Sequence, residues 1–140
     1  MVYAGAGRED NYANRDVRGK IVLLDGMATP AAARQPSLAG ASGQIHISPH
    51  EHIHEMCVSP VWGSPTEETR DQLPTTVVVS IDKQACEAMK ARIAVAMTRD
   101  TLHAEIDTGR RDIPLLVAEL MPEGNPEAPF VMFSGHHDTP

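Results

Sequence analysis

Aromatic residues, cysteines and long apolar runs are all scarce in this 140-residue chain. Aromatic side chains make up only 4% of it, so a core must be built from aliphatic residues and methionine. The two cysteines, Cys57 and Cys86, are too few for a disulfide framework, although they can be paired or free. No apolar run approaches the roughly 20 residues of a membrane-spanning helix, and no signal peptide is visible at the start. We therefore expect a soluble protein, and the sequence does not determine its cellular compartment.

Positive charge is scarce as well. Lys and Arg number 12 against 19 Asp and Glu, which gives a net charge of −7. Nucleic acids and anionic membranes attract proteins that cluster positive charge, so neither is an expected partner. Hydrophobic residues (41%) and charged residues (22%) are balanced as in globular proteins, and a chain of this length can bury a core.

The pattern of residues 1–97 predicts a mixed α/β domain. After an extended lead-in, the apolar run at 21–24 predicts a buried strand, and the β-branched run at 75–81 predicts a second strand. Polar and apolar residues alternate at 44–48, which predicts a further strand.

Two helices are expected between and after these strands. Thr29 and Pro30 predict a helix start, and Pro36 should interrupt that helix so that it restarts at the next residue. Asp82 or Ser80 can cap the last helix, in which Cys86 should be a small buried hydrophobe.

Residues 98–140 predict three further strands, at 102–107, 113–120 and 130–134. The last of these runs directly into Gly135-His136-His137-Asp138, shortly before the chain stops. Because a domain rarely ends where a buried strand delivers polar side chains, we expect a fragment of a longer polypeptide.

The polar cluster after this strand has the composition of a metal site. Neutral imidazole is a good zinc ligand. In an extended segment His136 and Asp138 point the same way, so the carboxylate can orient the imidazole ring, as it does beside many metal-bound histidines. His137 should point the other way. From spacing alone, the alternative is that both histidines are ordinary polar residues at a strand end.

Residues 130–139, FVMFSGHHDT, resemble the first metal-ligand motif of the M28 family of zinc-dependent exopeptidases, an apolar strand leading into His-x-Asp-Ser/Thr. Residues 113–120 resemble the preceding strand of that catalytic domain. Earlier segments are similar to protease-associated (PA) domains, and in many such peptidases a PA domain precedes the His-x-Asp strand. These earlier segments are DVRGKIVLL at 16–24, AGASGQIHI at 39–47 and LPTTVVVSID at 73–82.

This resemblance implies two domains. Residues 1–97 would be a PA-like β-sandwich or open barrel with two flanking helices, and residues 98–140 the first strands of a zinc-exopeptidase domain. His136 would be a zinc ligand and Asp138 would orient it, in a site of two zinc ions whose other ligands lie beyond this chain. The parent would be an aminopeptidase acting on peptides, and its PA-like domain would cap the active site or modulate access to it. The fragment itself should be inactive and bind no specific zinc.

The long loop after the third predicted strand has several interpretations. His54, Glu55 and Trp62 are candidates for a substrate-facing loop, with Trp62 as a core plug being the alternative. His50, His52 and His54 would line one face of a strand as metal ligands, whereas the loop context favours an ordinary solvated segment. The same letters match HExxH, but that motif requires a helix, which the following residues do not support.

The sequence is therefore compatible with three functions. The first is the peptidase fragment, the second a non-catalytic PA-type module that binds proteins or peptides, and the third a metal-binding domain built on the histidine-rich loop. The predicted strands of residues 98–140 would lack most of their sheet, so we also expect self-association or domain swapping through exposed edges.

Overall fold

The computed structural model describes residues 1–53, 57–61, 65–107, 112, 114–120, 129 and 131–135. The chain divides into two compact units, Met1–Ile106 and Asp107–Pro140. In the described ranges no helix is long and apolar enough to cross a bilayer. The elements, all in the first unit, are β1 (Val2–Tyr3), α1 (Glu9–Tyr12), β2 (Ile21–Asp25), α2 (Pro30–Leu38), β3 (Gly43–Ile47), a 3-10 helix (Arg70–Gln72), β4 (Val77–Ile81) and α3 (Lys83–Val95).

The four strands form one parallel sheet in the order β1-β2-β3-β4. In this register His46 of β3 lies opposite Leu24 of β2 and Ser80 of β4. Parallel strands need crossover connections, and α2 supplies the one between β2 and β3. Because paired residues point to the same face, the register also assigns each side chain to the α2 side or the α3 side of the sheet.

The α3 side of the sheet is largely apolar. Leu23, Ile45 and Ile47 pack there against Cys86 of α3, and all four side chains are buried. The interpretation of Cys86 as a small buried hydrophobe is confirmed. Leu102 also packs into this cluster, and a Cβ on Gly43 would come within 2.8 Å of its Cδ1 atom. Glycine at position 43 therefore makes room for the segment that follows α3.

Both main helices begin where their capping residues predict. The Ala32 amide donates to Thr29 Oγ1 at 3.3 Å at the start of α2, and the Ala85 amide donates to Asp82 Oδ1 at 2.8 Å at the start of α3. Such caps satisfy amides that have no partner within the helix. The expected interruption of the first helix is wrong, because α2 continues through Pro36 to Leu38. Proline removes one hydrogen bond there, which a packed final turn tolerates.

Several expectations are corrected by the structure. The mixed α/β class is confirmed, but the described residues form a single parallel sheet with a helix on each face and not a β-sandwich or open barrel. The extended lead-in contains β1 and α1. The described residues of the segments 102–107, 113–120 and 130–134 form no strand. A strand needs a neighbour to take up its backbone hydrogen bonds, and apolar patterning alone does not supply one.

Ile45 offers a direct test of this packing, because it is 1% exposed at the centre of the α3 side. Replacing it with alanine should lower the free energy of unfolding by about 2–4 kcal/mol, since the deletion leaves a cavity under α3. Urea denaturation of the purified chain measures the change. Val95→Ala is the matched control, because Val95 is 85% exposed and should shift the value by less than about 0.5 kcal/mol. Equal effects of the two substitutions would contradict the described core.

Candidate functional site

The carboxyl ends of all four parallel strands meet at one edge of the sheet. In open α/β sheets this edge is where ligands usually bind. Here β1 delivers Tyr3 and β2 delivers Asp25, while Ser48 follows the end of β3. Polar groups converge both at this edge and beneath α2.

A three-residue cluster occupies the α3 side of this edge. The Tyr3 hydroxyl donates a hydrogen bond to Asp25 Oδ2, and Lys90 Nζ of α3 lies 2.8 Å from Asp25 Oδ1. The Lys90 ammonium also lies 4.9 Å from the centroid of the Tyr3 ring, within the range of a cation–π interaction. The cluster joins α3 to β1 and β2, and its charges are mutually satisfied.

The ionisation of the cluster follows from these contacts. Burial acts to raise the pKa of Asp25, but the hydrogen bonds from Lys90 and Tyr3 and the charge of Lys90 outweigh it and lower that pKa. The hydrogen bond to Asp25 raises the pKa of Tyr3 and also that of Lys90. At neutral pH the cluster is therefore a fixed ion pair with a neutral phenol, and not a poised acid–base pair.

The α2 side carries a buried polar network around Gln44. Its side-chain nitrogen donates to the Ala33 carbonyl of α2 at 2.7 Å and to Thr76 Oγ1 at 2.6 Å. The Ser37 and Thr76 hydroxyls lie 3.0 Å apart. On the other side of the amide, Gln44 Oε1 lies 2.8 Å from His46 Nε2. The network therefore ties α2 to β3 and to the residue that precedes β4.

This geometry determines the tautomer of His46. The Ala33 carbonyl can only accept, so the Gln44 atom facing it must be the amide nitrogen. Gln44 Oε1 then faces His46 and must receive a proton, which places the neutral ring's hydrogen on Nε2. Nδ1 is left as an acceptor, and no group in the described part of the chain donates to it.

The environment of His46 strongly disfavours its charged form. The side chain is 1% exposed, and burial lowers its pKa to about 4, although the backbone of Gly26 acts in the opposite direction. No charge interaction contributes to the shift. His46 is therefore a neutral, hydrogen-bonded part of the interior at physiological pH.

The candidate residues singled out from the sequence mostly fall elsewhere. His136, Asp138, His54, Glu55 and Trp62 lie outside the described residues. His50 and His52 are described and exposed, in a segment without helix or strand. Within the ranges that the structure describes, no three His, Cys, Asp or Glu side chains form a group able to hold a metal ion.

Sequence reasoning missed both polar groups of the sheet. Tyr3, Asp25 and Lys90 are far apart in the sequence, and no local motif links them. Gln44 and His46 were recognised as the polar side of an alternating strand, but all five residues of β3 are buried. The parallel βαβ arrangement could have revealed this burial, because a central parallel strand is covered on both faces.

Comparisons with known proteins yield a structural likeness. No family model matches the chain, and no curated protein matches it. Among solved structures, an aminopeptidase from Aneurinibacillus sp. strain AM-1 matches over 69% of this chain with a TM-score of 0.54 and 22% sequence identity. The match spans 21% of the length of that aminopeptidase. At this identity the likeness shows a shared fold, which is part of a much longer chain in the aminopeptidase.

The Tyr3–Asp25–Lys90 cluster can be tested as a structural tether. Lys90→Met keeps most of the aliphatic stem but removes the charge, so it should destabilise the fold by about 1 kcal/mol in urea denaturation. The Asp25 side chain is 43% exposed, which keeps the expected effect small. Lys83→Met, at an exposed position of the same helix, should leave the stability within about 0.5 kcal/mol. A null effect of Lys90→Met would mean that the ion pair does not hold α3 in place.

Proposed function

We propose that this chain is part of a zinc-dependent metallopeptidase of the aminopeptidase type, related to the M28 family. In this proposal residues 1–97 are the PA-like domain, which caps the active site or modulates access to it. Residues 98–140 begin the catalytic domain. The substrate is a peptide that the parent enzyme cleaves near its amino terminus. The chain on its own is inactive, because one zinc ligand cannot complete a catalytic site.

The observation that carries the proposal is the fold shared with an aminopeptidase over 69% of the chain. The likeness concerns a short part of a much longer enzyme, which agrees with a chain that supplies only a portion of a peptidase. The motif GHHDT at residues 135–139 adds independent support, since its residue types and order resemble the first zinc-ligand motif of that family. The fold and the motif are separate observations, and both favour the same activity.

The donor set of the motif suits zinc. The neutral imidazole of His136 is a common zinc ligand, and a carboxylate two residues on can hold the ring through its second nitrogen. In a completed site the metal would polarise the substrate carbonyl and activate water. Within this chain, His136 binds and Asp138 orients, while the remaining ligands come from the rest of the parent.

His136 and Asp138 can be tested in the parent polypeptide that contains this chain. His136→Ala should abolish hydrolysis of aminoacyl-p-nitroanilide substrates and remove about one zinc ion per molecule, because it deletes a ligand. Asp138→Asn should weaken zinc binding about 10- to 100-fold, because the imidazole loses its orienting carboxylate. Activity assays and metal analysis by mass spectrometry measure both effects.

His137→Ala is the matched control, because the neighbouring imidazole should point away from the metal and its loss should preserve zinc content and activity. Full activity of the His136→Ala parent would exclude the metallopeptidase proposal. A parent that binds peptides but neither binds zinc nor hydrolyses substrate would instead favour a non-catalytic PA-type recognition module.

We also propose that the isolated chain self-associates through apolar segments of its second unit. In residues 114–120 and 131–135, Leu120 is fully exposed and Phe133 is 92% exposed. Apolar side chains displayed in this way promote association. Light scattering should detect dimers or larger species at concentrations of about 0.1 mM, and Leu116→Ser with Phe133→Ser should reduce them. A monodisperse monomer of the unmodified chain would contradict this expectation.

A further inference from the structure

The α2 side of the sheet contains a titratable group that the proposed peptidase chemistry does not use. His46 is buried in the middle of the sheet, and its Nδ1 atom has no donor within the described residues. Because Nε2 already carries a proton toward Gln44, a second proton can only go to Nδ1. The resulting imidazolium would lie at a residue that is 1% exposed and is therefore kept away from water.

Nothing charged in the described surroundings would compensate an imidazolium at this site. The strands beside His46 present Leu24 and Ser80 to the same face. The one charged residue of α2, Arg34, is exposed, and Asp25 is engaged with Lys90 on the opposite side of the sheet. His50 and His52, the titratable groups that follow β3, are exposed to solvent. The backbone of Gly26 is the group that favours the charged form.

The fold also limits which element can open and let water reach His46. Along both edges β3 is hydrogen-bonded to its neighbours, so water cannot reach His46 from the sides of the sheet without breaking the ladder. The helix that bonds to Gln44 on this side, α2, has nine residues and contains a proline. Helices of this length are marginal without tertiary contacts. The contact of Gln44 with the Ala33 carbonyl is one of the bonds that hold α2 down.

We propose that Gln44 and His46 form an acid-sensitive latch, which holds α2 on the sheet while His46 is neutral and releases α2 when Nδ1 takes up a proton. Release would let water solvate the imidazolium, while the apolar α3 side of the sheet stays packed. The latch is a property of this sheet and is independent of the proposed peptidase activity.

The sign of the pH dependence follows from linkage. An exposed histidine has a pKa near 6.5, whereas burial lowers that of His46 to about 4 in the closed form. The open form therefore binds more protons between these values, so closure is fully stable above about pH 6.5 and weakens as the pH falls toward 4. With these values, the equilibrium constant for opening should rise about 70-fold between pH 7.5 and pH 4.5.

Hydrogen–deuterium exchange of the whole chain tests the latch. After correction for the intrinsic pH dependence of exchange, protection of the α2 amides should fall about 70-fold by pH 4.5. Protection of the α3 amides should change by less than about threefold. His46→Gln keeps a donor for Gln44 Oε1 but cannot titrate, so its α2 protection should be independent of pH. His103→Gln is the matched control, because His103 is 81% exposed and its loss should leave the acid response intact.

Two outcomes of the exchange experiment would overturn the proposal. A parallel loss of protection in α2 and α3 would mean global acid unfolding, and an unchanged acid response in His46→Gln would assign the response to another group. If His46→Gln does not fold, NMR titration of the His46 ring in the unmodified chain tests the latch instead. Protonation near pH 6.5 with no change at the α2 amides would exclude the latch, whereas protonation that coincides with α2 exchange would support it.

Discussion

The buried side-chain amide of Gln44 is the constraint on which the α2 side of the fold depends. Without water nearby, an amide must find protein partners for its donors and its acceptor, or cost about 1–3 kcal/mol for each group left unpaired. Gln44 meets this demand with the Ala33 carbonyl, the Thr76 hydroxyl and the His46 ring. Those bonds align a helix with a sheet at a point where apolar packing would leave the helix free to slide.

The local parts of the fold could be predicted from the sequence, because their causes are local. An apolar run indicated β2, a β-branched run indicated β4, and Thr29 and Asp82 marked the starts of α2 and α3. The burial of Gln44 and His46 could not be predicted, because alternation reveals two faces of a strand but not whether both are covered. The strands expected after residue 98 failed for a related reason, since pairing depends on partners distant in the sequence.

The candidate functional residues show the same difference between local signals and contacts of distant residues. The GHHDT motif has its residue types and spacing within five consecutive positions, so the sequence alone suggested zinc ligation. The Tyr3–Asp25–Lys90 cluster joins residues from two strands and the last helix, and only the folded sheet brings them together. Its mutually satisfied charges indicate a structural part in this domain. The likeness to an aminopeptidase concerns the fold, at 22% identity over 69% of the chain.

The contrast between the two faces of the sheet has a consequence for sequence drift. On the α3 side, Ile45 packs against apolar neighbours such as Leu23 and Ile47, so exchanges there that conserve volume should accumulate over time at small cost. On the α2 side, each group of the network fixes the donor or acceptor role of the next, so a change at one position demands a matching change at another. In descendants of this domain, positions under α3 should therefore change independently of one another, whereas positions under α2 should change together.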